Sequence, residues 1–144
     1  MIRISMETPS IEILQQMEDV HPESIRWDVH MKEAHLDGLC TFGYWLYEDN
    51  VCVGEYIASG IDDGTFYGES ISVLPEYSGK GYAKLLTEYA LEDACVMGFN
   101  RYIGEARPGA SWHIVQSLGA IQTGVSVNHG GTGEDYIAFC LELK

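Results

Sequence analysis

Between Val73 and Leu86 the chain reads VLPEYSGKGYAKLL: a strand end, a proline, a glycine-bearing stretch and an apolar-periodic run. Glycines at Gly79 and Gly81 let the backbone pass close to a ligand and adopt positive φ. The amides from Gly79 onward fall where a helix begins, so several have no partner within that helix. Such an end, with its positive dipole, suits a phosphate or pyrophosphate. A plain strand-to-helix turn uses the same residues, so the segment alone leaves both readings open. Lys80 and Lys84, two of the eight basic residues of the chain, fall in this junction.

The 144 residues suffice for one domain, spanning 1–144, with a real core. An apolar fraction of 46% with 11% aromatics describes a globular chain rather than a disordered one. No apolar run approaches the roughly 20 residues of a membrane span, and MIRISMETPS lacks the apolar centre of a signal peptide. A cytoplasmic protein with no membrane partner is the expectation. The net charge of −14 repels nucleic-acid phosphates and would attract a cationic acceptor such as an amine, a polyamine or a basic protein. The same charge also serves solubility alone. Four cysteines (Cys40, Cys52, Cys95, Cys140) and five histidines show no metal-ligand spacing, so no metal site is expected.

The pattern predicts a strand near Arg3–Met6 and a helix start at Thr8-Pro9-Ser10, with Ile11, Leu14 and Met17 on one face. A second helix is expected over 22–36. Period-two patterning then predicts a hairpin, Thr41–Tyr47 and Asn50–Ser59, turning at Glu48-Asp49-Asn50, and a strand over Thr65–Val73. A helix over Gly79–Met97 follows, stopped by Gly98. Arg101–Ala106 reads as a strand, Ala110–Leu118 as a helix, and 120–128 and 135–143 as strands. The order is β, α, α, β, β, β, α, β, α, β, β.

In that setting the opening segment resembles the acetyl-CoA-binding motif of the GNAT N-acetyltransferase superfamily, a V-x-P-x-(Y/W) strand end followed by (Q/R)-x-x-G-x-(G/A). Here it reads Val73-Leu74-Pro75-Glu76-Tyr77, then Ser78-Gly79-Lys80-Gly81-Tyr82-Ala83. Ser111–Ala120, S-x-x-x-x-x-x-L-G-A, resembles the late helix of the family. The resemblance spans nearly the whole chain. It implies an α/β (α+β) fold: a mixed sheet of about six to seven strands with a splayed parallel pair, flanked by about four helices. It also implies an acetyl-CoA-dependent N-acetyltransferase. Ile71, Ser72 and Val73 would offer free backbone groups to the pantetheine arm, opposite Tyr102–Ala106. The amides of Gly79, Lys80, Gly81, Tyr82 and Ala83 would hold the pyrophosphate. Lys80 and Lys84 would reach the nucleotide phosphates or form a solvated helix face. Dimers are common among relatives, so a homodimer is an expectation by analogy.

The chain departs from the pattern in three places. Ser78 stands where Gln or Arg is usual, which shortens one donor to the pyrophosphate. Val115 stands where many relatives carry the tyrosine that protonates the departing thiolate. Ser111, one helical turn earlier, is the nearest hydroxyl, unless it only caps the helix. Ala120 replaces a common aromatic. By the resemblance, bases or water-relay residues match Tyr67 and Glu69, and period-two alternation would place both with Ile71 and Val73 on one face. Glu69 is then a candidate base through water, with cation binding or plain exposure as its other readings. Tyr67 reads as a pocket wall. Acceptor contacts are expected from Glu18, Asp19, Glu23, Trp27, Tyr44, Trp45 and the loop 129–135. The acceptor itself, whether small amine, peptide N-terminus or protein lysine, stays open. A CoA-binding module without catalysis and an acidic interaction protein are the rival readings.

Overall fold

A computed structural model describes residues 1–7, 41–131 and 133–144. The two helices expected between residues 8 and 40 lie outside the described residues, as do Glu18, Asp19, Glu23 and Trp27. The described chain forms β1 (Ile2–Glu7), β2 (Thr41–Glu48), β3 (Val51–Gly60), β4 (Thr65–Val73), α1 (Tyr82–Val96), β5 (Arg101–Ala106), α2 (Ala110–Ser117), β6 (Ile121–Ser126) and β7 (Tyr136–Glu142). The element order from residue 41 onward is the one the patterning predicts. Of the roughly four helices expected, two are among the described residues.

One sheet of seven strands carries the fold, in the order β1-β2-β3-β4-β5-β7-β6. The β2–β3 hairpin turns at Asp49 and Asn50, whose φ values of 50° and 69° suit the left-handed residues of a two-residue turn. Among the described residues all pairings are antiparallel except β4–β5. That parallel pair holds only at Thr65–Arg101, Phe66–Tyr102 and Tyr67–Ile103. Beyond it, β4 runs on to Val73 and β5 to Ala106 with no ladder between them. The splay therefore opens after Ile103, and its β5 side is Gly104–Ala106 rather than Tyr102–Ala106.

The β3–β4 register shifts between Ile57 and Ala58: Ile57 faces Ser70 and Ala58 faces Gly68, leaving Glu69 as the extra residue of a bulge. An extra residue reverses the phase of a strand. Ile71 and Val73 pack with the core on the α1 side. Ser70 instead donates to Glu55 at 3.2 Å, and Glu55 is paired with Trp45 of the second, smaller cluster. Tyr67 follows core-facing Phe66 and points to that second side. The alternation that would put Tyr67, Glu69, Ile71 and Val73 on one face is thus broken at Glu69.

The main core lies between the sheet and α1. Tyr44, Leu46, Val53, Phe66, Leu86, Ala90 and Ala94 are buried there. Leu86, Ala90 and Ala94 recur at helical spacing, which turns one stripe of α1 onto the strands. Tyr44 and Trp45 are fully buried. Tyr44 donates to Asp93 at 2.7 Å. Neither therefore offers an acceptor surface, contrary to the sequence expectation: Tyr44 packs into the main core and Trp45 into the smaller cluster on the other face.

Candidate active site

After β4, Pro75–Tyr77 form a single tight turn, and Ser78 donates its hydroxyl back to the Pro75 carbonyl at 2.8 Å. Gly79 and Gly81 both sit at φ 80°. A side chain there would be strained, which explains the glycines and why α1 starts at Tyr82 rather than Gly79. A Cβ built on either glycine meets nothing within 4 Å, so open space lies above the loop. The first amide to bond back is that of Leu85, to the Gly81 carbonyl at 3.0 Å. The amides of Tyr82, Ala83 and Lys84 precede the ladder and face outward at the positive end of the helix. Lys80 turns to Glu48, Nζ to Oε1 3.4 Å. Tyr82 also donates to Glu48. That bond is the main cause of a Glu48 carboxyl held below its ordinary range. Lys84 is exposed.

The splay opens into a cleft of about 180 Å³ that crosses the sheet. Ala83 and Thr87 of α1 and Ser111, Ile114 and Val115 of α2 line its helix-side mouth. Glu69, Glu105, Arg107, His129 and Tyr136 line the rest. Among the described residues the β4 edge from Gly68 to Val73 has no strand partner on the β5 side, so its backbone groups face the cleft. Tyr67 donates its hydroxyl to Glu105 from behind. Arg107 donates to the Tyr136 hydroxyl at 3.0 Å and pairs with Glu134 at 3.1 Å. His129 stacks on Tyr136 with centroids 4.4 Å apart.

At the apex, where β4 and β5 part, the hydroxyls of Tyr56 and Tyr102 bond to one another. A Cβ on Gly68 would lie 2.7 Å from the Tyr56 hydroxyl and 3.0 Å from that of Tyr102. Gly68 thus allows the strand to pass over the pair. Burial pushes the Tyr102 phenol from 10.0 up to about 12, against a lowering by its bond to Tyr56. Burial, then the charge and hydrogen bond of Tyr102, push Tyr56 well above its ordinary value. Burial also leads the rise at Tyr44 and Tyr67. The native state therefore holds these protons more tightly than the unfolded chain does. Stability from this source is fully present below about pH 10 and is lost as pH rises toward about 12, at up to about 1.4 kcal/mol per pH unit for each buried tyrosine. Urea-unfolding midpoints are expected to be flat to about pH 9.5 and then fall, less steeply in Tyr102→Phe. A flat profile to about pH 11 would contradict this burial.

The residues singled out from sequence therefore divide. Ile71, Ser72 and Val73 lie on the open β4 edge, and the loop from Ser78 to Lys84 stands at the helix start. Glu69 and Ser111 share the cleft with Val115. Ser111 is the second helical residue, and the helix N-cap is Gly109, so the hydroxyl is not a cap. Tyr67 supports Glu105 rather than forming a wall. Sequence reasoning missed Glu105, Arg107 and the Tyr56–Tyr102 pair. Period two along β5 puts Glu105 on one face with Ile103, but that Ile103 pairs with Tyr67 is a property of the strand register alone.

The sequence matches the family model described as the acetyltransferase (GNAT) family over residues 8–114. The chain belongs to this family, and with it to the acetyltransferases. No curated protein matches it by sequence. Among solved structures, the ribosomal-protein-S18-alanine N-acetyltransferase of Escherichia coli is similar, with a TM-score of 0.80, 16% identity and coverage of 99% of this chain and 95% of that one. A GNAT family acetyltransferase from Elizabethkingia anophelis with acetyl-CoA bound gives 0.78 at 16% identity, covering 99% and 98%. A Bacillus subtilis acetyltransferase in complex with CoA gives 0.79 at 16%, covering 100% of both chains. At such identities these likenesses establish the fold, a seven-stranded mixed sheet with one parallel pair.

Proposed function

We propose that this protein moves an acetyl group from acetyl-CoA directly to a primary amine. The observation that carries the reading is one cleft bearing a helix-start amide cluster at one end, an unpaired strand edge along it and two carboxylates across from α2. The residues present fit the cofactor. The Tyr82, Ala83 and Lys84 amides with Gly79 and Gly81 suit its pyrophosphate, helped by Ser78, Lys80 and Lys84. The Ile71, Ser72 and Val73 backbone suits its amide-bearing arm. When bound, acetyl-CoA supplies an acyl group activated as a thioester.

An aliphatic amine is protonated at neutral pH, with an ordinary pKa near about 10.4, and must lose a proton before it attacks. Glu69 and Glu105 border the cleft where a cation is drawn by an acidic field, and either takes that proton directly or through water. Tyr67 orients Glu105 by its hydrogen bond. Ser111 reaches the cleft from α2 as a hydroxyl donor. The protein mixed with acetyl-CoA and a panel of polyamines, peptide N-termini and lysine peptides is expected to release free thiol only when an acceptor is present. Labelled acetyl groups should not stay on the denatured protein. Binding of CoA with no thiol release across the panel would favour a non-catalytic CoA-binding module instead.

A further inference from the structure

Val115 lines the cleft from α2 with a side chain that carries no proton to donate, and the structure offers a hydroxyl source elsewhere in the same cleft. The pair formed by Tyr56 of β3 and Tyr102 of β5 has two protons and one mutual bond. Whichever oxygen donates, one proton is left over. Neither hydroxyl has another partner among the described residues. Both residues are 3% exposed, and both line the cleft. Burying a hydroxyl proton without an acceptor costs free energy, so the spare proton calls for an acceptor in the cleft, a water or a bound ligand.

Place the pyrophosphate at the start of α1, and the rest of the cofactor runs back along the open β4 edge toward Gly68. That is five residues of strand from Val73, roughly 16 Å at the usual rise. The edge ends where Gly68 lies over the two hydroxyls. We infer that the Tyr56–Tyr102 pair donates a hydrogen bond to the thioester sulfur as it departs. This rests on the acetyltransferase reading above. In the step, the amine nitrogen bonds to the acyl carbon, the carbon–sulfur bond breaks, and sulfur keeps the electron pair. The nitrogen sheds two protons, one to Glu69 or Glu105 before attack and one to the other carboxylate or to water as the amide forms, and the tyrosine proton stays on oxygen. Burial supports that last point, because a phenol held near 12 does not surrender its proton to a thiolate whose ordinary value is about 8.5.

The test compares CoA with desulfo-CoA, which lacks the sulfur, by calorimetric titration from about pH 6 to about pH 10. Wild type is set beside Tyr56→Phe, Tyr102→Phe, the double variant and Ser111→Ala. In wild type, CoA should gain on desulfo-CoA as its thiol ionises. The double Phe variant should lose about tenfold of that advantage at high pH, the size of a hydrogen bond to a charged group. Desulfo-CoA should bind all variants within about twofold. Each single Phe variant keeps one unpaired hydroxyl proton, as the wild-type pair does, and should keep most of the advantage. Equal losses for both ligands would show a structural role and overturn the inference while leaving the cofactor site standing. So would an unchanged pH profile in the double variant, or an effect confined to Ser111→Ala. Failure of both ligands to bind wild type would overturn the acetyltransferase reading itself.

Discussion

Saturating acetyl-CoA is expected to raise the unfolding temperature of the wild-type protein by roughly 10 °C and to leave Gly81→Glu unmoved. Ligand at about 100 times Kd adds about 2.7 kcal/mol to the native state. A domain of this size shifts by several degrees for each kcal/mol. ATP and NAD serve as controls, because the loop follows neither a P-loop nor a dinucleotide-binding spacing. Gly81 is the sensitive position for two reasons. Its φ of 80° is one that a side chain adopts only with strain, and the space above it is open. A glutamate there places a negative charge where the Tyr82 and Ala83 amides would otherwise meet an anion. The strain lowers the starting stability, so the quantity to compare is the ligand-induced shift within each variant. Gly81→Ala carries the strain without the charge and should keep much of the shift. Absence of any shift in wild type would mean that the loop is only a turn.

The parts of this site legible in the sequence were those fixed by local geometry. Gly79 and Gly81 announced positive φ, and both adopt it. The helical spacing of Leu85, Leu86, Tyr89, Ala90 and Ala94 announced the face that α1 buries only in part, since Leu86, Ala90 and Ala94 are buried and Leu85 and Tyr89 are exposed, while the Asp49-Asn50 turn announced the first hairpin. What could not be read depended on pairing between distant strands. The phase of β4 turns on a bulge at Glu69, and a bulge is a property of two strands in register, absent from either strand alone. Tyr44 and Trp45 look like surface aromatics until both faces of β2 are seen to be packed. Glu105 lies 38 residues from the Tyr67 that holds it, and Tyr56 lies 46 from Tyr102. No local signal links such residues. The β3–β4 pairing and the parallel register at Phe66–Tyr102 and Tyr67–Ile103 together bring them to one apex.

That apex also sets the expectation for the two carboxylates. Glu105→Gln and Glu69→Gln are each expected to lower kcat by about a hundredfold near neutral pH, in the range of a lost general base. Glutamine keeps the size of the side chain and removes the capacity to take a proton. If the two act as one relay, the double variant should be little worse than the weaker single one, because members of a unit do not add. The defect should shrink as pH nears the ordinary pKa of the amine, about 10.4, where the acceptor arrives already deprotonated and needs no base. A purely electrostatic role predicts the opposite pattern. There, substitution raises KM for a cationic acceptor and leaves kcat in place, since the carboxylates would bind ground state and transition state alike. Tyr67→Phe separates the two further. It removes the bond that orients Glu105 but no charge, so it should lower kcat with little change in KM if Glu105 moves the proton, and alter neither if Glu105 only attracts the cation.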